Sequence, residues 1–181
     1  IQRLDADNWW RMADTGPNGP CSEIFWDMGA QYGPDGGPAN PDAEDRFIEI
    51  WNLVFMQYDQ QKDGTQVPLP NPSIDTGAGL ERVLSVLQGV DSVWETDEFQ
   101  ALLSTVSIVC NKKNISEENI VSLQILADHA RSTTFLVNDG VIPSNEDRGY
   151  VLRRIIRRAV RHARLLDVEE PIMGELADAV I

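Results

Sequence analysis

Hydrophobic positions change their spacing about halfway along the chain. In the first half the apolar residues come in short aromatic and β-branched runs, and from about residue 96 they recur at helical intervals. Residues 22–29, SEIFWDMG, form a short aromatic strand pattern. They lie between two Gly/Pro-rich stretches, 14–20 (DTGPNGP) and 32–41 (YGPDGGPANP), which read as loops. Residues 46–58, RFIEIWNLVFMQY, carry the strongest strand signal; their incomplete alternation predicts a strand buried on both faces. A turn at 63–65 (DGT) follows, and the prolines of PLPNPSIDTG exclude a helix until after Gly77. Leu80, Val83, Leu84 and Leu87 then fall at i, i+3, i+4 and i+7, the spacing of an amphipathic helix.

Segments 97–110, 116–138 and 145–166 all have helical periodicity. The middle one stops at Asn138-Asp139-Gly140. The last opens at Pro143-Ser144, where Ser144-x-x-Asp147 has the spacing of a capping box. No internal repeat is present. The predicted fold class is α+β, an antiparallel sheet with helices followed by an all-helical segment, with the boundary near 90–97.

Composition adds an asymmetry to this division. The chain has 181 residues, 42% of them hydrophobic, and a formal charge of -14 from 15 basic and 29 acidic residues. Taken whole, that balance argues against a nucleic-acid binder, since phosphate repels negative charge. Seven of the arginines, however, lie between 148 and 164 without a single acid among them, which points to one local anionic partner. Two cysteines are too few for a disulfide framework or a Cys-rich zinc site, and a reducing, cytoplasmic setting fits them. No apolar run approaches the roughly 20 residues of a membrane span, so no membrane partner is expected. The chain starts with Ile rather than Met, which leads us to expect a piece of something longer.

The richest chemistry lies in Pro72-Ser-Ile-Asp-Thr-Gly-Ala-Gly-Leu-Glu-Arg82, a strand end, a glycine corner and a helix with an arginine in its first turn. Glycines let a ligand approach the backbone, and a helix N-terminus favours anions. Arg82 offers a fork for phosphate oxygens, and Asp75, expected to be a buried carboxylate at the strand end, could hold an ammonium group. The same pattern also suits a plain structural corner in which Asp75 caps the turn.

GAGLERV resembles motif 3 of the class II aminoacyl-tRNA synthetases. NWWRMADTGPNGPCSEIFWD, RFIEIWNLVFMQY, PLPNPSIDTGAGLERVLSVLQ and ADHARSTTFLVNDGVIPSNEDRGYVLRRIIRRAVRHARLL resemble, in order, the alanine-charging members of that family, from about residue 8 to 166. The resemblance implies a class II sheet continuing into a helical domain. Residues 1–95 would be the C-terminal part of the catalytic domain, and 96–181 an incomplete domain recognising the tRNA acceptor stem. It further implies that Asp75 holds the α-amino group of alanine and that Trp10, Asn52, Val54 and Gly77 line the amino-acid pocket. Arg82, with Gly79 beside it, would meet ATP, which arrives with Mg²⁺. Asn18 stands where we expect cysteine. Motifs 1 and 2 of the family would lie upstream of Trp10, so the isolated chain is expected to be inactive.

The segment 151–166 divides on a helical wheel. Val151, Leu152, Ile155, Ile156, Ala159, Val160 and Ala163 share one half and are expected to pack on helix 116–138. Arg153, Arg154, Arg157, Arg158, Arg161 and Arg164 share the other. Such a face can be merely solvated or paired with acids, but this one lacks the i+4 acids of self-paired helices, which favours RNA phosphate. By resemblance, Asp147 and Arg158 occupy positions that contact the acceptor stem from its minor groove. Asp147 departs from the asparagine we expect there. His129 and His162 read as structural histidines, and no cluster has metal-ligand spacing. Two other readings fit the residues: a non-catalytic RNA-binding module with a vestigial pocket, and an adenylate-forming relative that uses a different small acid.

Overall fold

Four antiparallel strands, in the order β1-β2-β3-β4, form one sheet: β1 (Trp9–Arg11), β2 (Gly16–Asp27), β3 (Phe47–Gln60) and β4 (Gln66–Ala78). The computed structural model describes residues 1–4, 7–112 and 116–181. The helices are α1 (Leu80–Gln88), α2 (Asp97–Val109), α3 (Glu117–Asn138), α4 (Asp147–Leu165) and α5 (Met173–Asp178). The chain divides into two compact units, Ile1–Val93 and Trp94–Ile181. None of the described helices is long and apolar enough to cross a membrane. The sheet followed by helices is the predicted α+β class.

Within the first unit, the stretch 14–20 is not wholly a loop, because Gly16–Pro20 already belong to β2. A register shift between Asn18 and Cys21 lets this Gly/Pro-rich segment join the ladder. Gly19 is required by close approach: a Cβ there would sit 2.0 Å from the carbonyl oxygen of Phe55 on β3. Asn18 is fully buried. Its Nδ2 donates to Gly16 O at 3.2 Å and its Oδ1 accepts from Gln66 Nε2 at 3.0 Å, which ties β2 to β4.

β3 follows the sequence closely in extent but not in burial. Of its residues only Val54 is buried, and Trp51 is exposed. The expectation of a strand covered on both faces fails because, among the described residues, this unit has one α-helix, nine residues long, to set against four strands. β4 is an edge strand, which explains how Pro68, Pro70 and Pro72 can lie in it, since an edge tolerates missing N–H donors. α1 ends at Gly89, whose left-handed backbone returns its N–H to Ser85 and Val86 carbonyls. Of the predicted stripe on α1, Val83 and Leu84 are half-buried, whereas Leu80 and Leu87 are exposed.

The second unit buries a continuous apolar core. Phe99, Leu103 and Val106 of α2, Leu123 and Leu126 of α3, and Ala159 of α4 anchor it. α3 ends at Asn138 with Gly140 in the left-handed region, as its stop signal predicts. α3 packs on α4, whose buried residues are Gly149, Leu152, Ala159 and Ala163. Ile155 and Ile156 are half-buried, but Val151 and Val160 are exposed, so the buried stripe is narrower than the apolar half of the wheel. α5 and β1, six and three residues long, are too short for periodicity to reveal.

Candidate functional site

The ladder aligns residues from three strands into two rows. Cys21 faces Val54, which faces Asp75; Glu23 faces Asn52, which faces Gly77. Residues two apart on a strand share a face. Cys21, Glu23, Asn52, Val54, Asp75 and Gly77 therefore lie on one side of the sheet. The register thus brings together four positions singled out from the sequence: Asn52, Val54, Asp75 and Gly77. Trp10 sits on β1 opposite Gly19 and is half-buried. Its neighbour Trp9 stacks on Tyr58 at 6.1 Å, and the Trp9 indole Nε1 is buried without a partner.

Asp75 departs from expectation. It is exposed, because β4 has β3 on one side and an open edge on the other. Its carboxylate accepts from the backbone N–H of Thr76 at 2.9 Å, a local turn-like contact that leaves oxygen lone pairs available. Gly77 has nothing within 4 Å of a notional Cβ, so the surface beside Asp75 is open to a ligand.

Asn52 is held by carboxylates. Its Nδ2 donates to Glu23 Oε1 at 3.2 Å and to Glu49 Oε1 at 3.4 Å, while its Oδ1 is buried with no partner. Glu23 pays for this crowding: burial, then the nearby Glu49 and Asp7 carboxylates, push its carboxyl above the usual carboxylate range. Burial, reinforced by Glu23, likewise raises the Cys21 thiol, which argues against a thiolate nucleophile. Cys21 and Cys110 are both free and buried. Glu23, Glu49 and Cys21 escape a reading of the sequence because the strand register, shifted between Ile24 and Phe25, is what aligns them.

Arg82 stands in the first turn of α1, three residues after the N-cap Gly79, and its side chain is 52% exposed. Nη1 donates to the Glu49 carbonyl at 2.8 Å and lies 3.7 Å from Glu49 Oε2. Glu49 therefore links Arg82 to Asn52, and the helix N-terminus is joined to the sheet face through one side chain. Among the described residues no group of three or more His, Cys, Asp or Glu side chains could hold a metal ion.

The second candidate surface is α4. Arg153, Arg154, Arg157, Arg158 and Arg161 are exposed, and among the described residues none of them makes an ion pair. Arg164 alone of this face lies near an acid, 3.7 Å from Glu169. In a chain of charge -14, a row of unpaired guanidiniums is not a neutralised surface.

The capping box at 144–147 does not form. The N-cap is Glu146, and the Ser144 hydroxyl donates to the Glu146 carbonyl at 2.8 Å. Asp147 opens the helix with φ of 50°, a conformation in which its carboxylate makes no cap and remains exposed. Gly149 next in line is packed against the loop: a Cβ would meet Ser144 Oγ at 2.3 Å and Ile142 O at 2.4 Å.

Residues 1–181 match the family model described as tRNA synthetases class II (A). The alanine–tRNA ligases of Magnetococcus marinus and Rhodopseudomonas palustris are each 56% identical, over 179 and 178 residues, 97% of this chain. That of Pseudoalteromonas translucida is 54% identical over 182 aligned positions and all of the chain. In each case the match covers 20% of the relative, so the chain spans about a fifth of the length of the relatives it resembles.

Proposed function

The chain belongs to the class II tRNA synthetases, and from that premise we propose that it is part of an alanine–tRNA ligase. In this reading 1–95 form the C-terminal part of the catalytic domain, and 96–181 contribute to recognition of the tRNA acceptor stem. The carrying observation is the pair of cross-strand rows that places Asn52, Val54, Asp75 and Gly77 on one face.

Alanine is small, and its site must fix both ends of a zwitterion and accommodate one methyl group. Asp75 accepts hydrogen bonds from the ammonium. Val54, the buried residue of β3, supplies the wall for the methyl group together with Trp10. Asn52 completes the polar lining, its amide steadied by Glu23 and Glu49. Gly77, lacking a side chain, leaves room beside the carboxylate. Arg82 and the N–H groups that open α1 after Gly79 face the triphosphate of ATP.

The alanine carboxylate then attacks the α-phosphorus in line, a P–O bond forms, and pyrophosphate leaves with the electron pair of the bond that breaks. In the second step the 3′-terminal hydroxyl of the tRNA attacks the activated carbonyl, loses its proton and displaces AMP. Most of the protein's work in both steps is positioning and charge stabilisation. Mg²⁺ arriving with ATP would neutralise phosphate charge, and hard oxygen donors suit it. Glu23 and Glu49, carboxylates close enough to crowd one another beside Asn52, would be the residues that hold it.

α4 meets the acceptor stem. Arg153, Arg154, Arg157, Arg158 and Arg161 neutralise phosphates, and Asp147 accepts from a base amine in the minor groove. The reading is tested by Asp75→Asn in the intact synthetase. Alanine-dependent ATP–pyrophosphate exchange should fall by at least about 100-fold, as loss of a charge-paired ligand contact implies, with tRNA binding unchanged. Exchange that survives would misplace the site. The isolated 181-residue chain should show no exchange.

A further inference from the structure

On the α4 side of the helical unit, a cleft of about 640 Å³ is lined by His129 from α3 and by Arg153, Arg154, Arg157 and Arg158 from α4, with Asn145 at its edge. His129 is the unusual member. It is only 8% exposed, yet it lines an open cleft that carries four guanidiniums beside Tyr150, Val151 and Ile155. Its Nδ1 lies 2.9 Å from Asp128 Oδ2, and since a carboxylate can only accept, Nδ1 carries the proton. Among the described residues nothing satisfies the other ring nitrogen, Nε2. The Asp128 side chain is not part of the lining, so the carboxylate orients the imidazole from behind without presenting its own charge to the cleft.

The guanidiniums are also positioned. Arg153 donates to Asn145 Oδ1, and Arg154 lies 5.9 Å from the centre of the Tyr150 ring. None of the four has an acid partner among the described residues. A concave cluster of unpaired guanidiniums with one buried, carboxylate-oriented imidazole at its base matches a compact anion that takes several donors at once, such as a phosphate group.

We infer that this cleft seats one backbone phosphate of the acceptor stem, with His129 Nε2 as a donor beneath it and the α4 arginines around it. The inference rests on the proposed function and adds to it a contact from a second helix. Binding then places a proton on Nε2, making His129 an imidazolium between the Asp128 carboxylate and the phosphate. The charged groups around the ring are Asp128 on its own helix and, in the cleft from α4, Arg153, Arg154, Arg157 and Arg158, with His162 of α4 near enough to interact electrostatically and Asn145 and Tyr150 uncharged.

Because the chain has two histidines, imidazole NMR can follow His129 directly, with His162→Gln assigning the second signal. The 181-residue chain is titrated with an RNA hairpin of the alanine acceptor stem and, separately, with inorganic phosphate. The hairpin should shift the His129 Nε2 resonance, and His129→Gln should weaken hairpin binding about tenfold. Hairpin binding that leaves the His129 signal unchanged overturns the inference while the RNA reading stands. A hairpin that does not bind at all overturns the RNA reading itself. A response to phosphate but not to the hairpin overturns RNA as the source. The measurement on the unsubstituted chain needs no variant to fold.

Discussion

Position 147 carries a conformational demand and a chemical one at once. A left-handed backbone at a helix start costs an ordinary L-residue roughly 1–2 kcal/mol, which Gly escapes and Asn or Asp partly offset through local hydrogen bonding. Asp147, at φ of 50°, meets the first demand. Asp147→Ala should therefore lower stability by about 1 kcal/mol, while Asp147→Gly and Asp147→Asn leave it nearly unchanged in thermal unfolding. Because Asp147→Gly keeps the backbone and removes the carboxylate, it separates the two demands. Unchanged stability with weakened discrimination for alanine tRNA assigns recognition to the side chain; unchanged discrimination reduces Asp147 to a helix-opening residue. The spacing Ser144-x-x-Asp147 suggests a capping box, but spacing carries no information about the sign of φ, and it is the sign that decides.

At the scale of elements, legibility followed length and period. β3 and the four longer helices announce themselves by sustained patterns. β4 is hidden by its prolines, which only an edge position permits, and the start of β2 by a Gly/Pro run that enters the ladder through a register shift. Motif residues on β3 and β4 were readable individually, but their juxtaposition with Glu23 and Cys21 depends on a register that no local pattern encodes. The Glu23–Asn52–Glu49 arrangement makes a prediction of its own. Glu23 is held above the ordinary carboxylate range, so the folded state binds its proton more tightly than the unfolded chain does. Its ionisation at neutral pH therefore costs stability, and that cost disappears as the pH falls through the carboxylate range. Glu23→Gln should raise the denaturation midpoint near pH 7.5, with the gain vanishing toward pH ~4. Equal effects at both pH values would contradict the crowding of these carboxylates.

The molecule as a whole is an acidic chain with one cationic helix face, and its two compact units carry different chemistry. The exposure of Asp75 and Arg82 follows from the same facts as the open edge of β4: four strands and a nine-residue helix leave that surface to solvent. The relatives are about five times longer than the aligned region, consistent with further walls for the site. What the chain contributes on this account is the half of the pocket that holds the ammonium and the methyl group. The most direct test is a crystal structure of the intact synthetase with a non-hydrolysable alanyl-adenylate analogue. The account predicts the ligand's ammonium roughly 2.7–3.2 Å from the Asp75 carboxylate, its methyl group against Val54, and Asn52 alongside. An analogue whose ammonium is held elsewhere, with Asp75 still facing solvent, would contradict it.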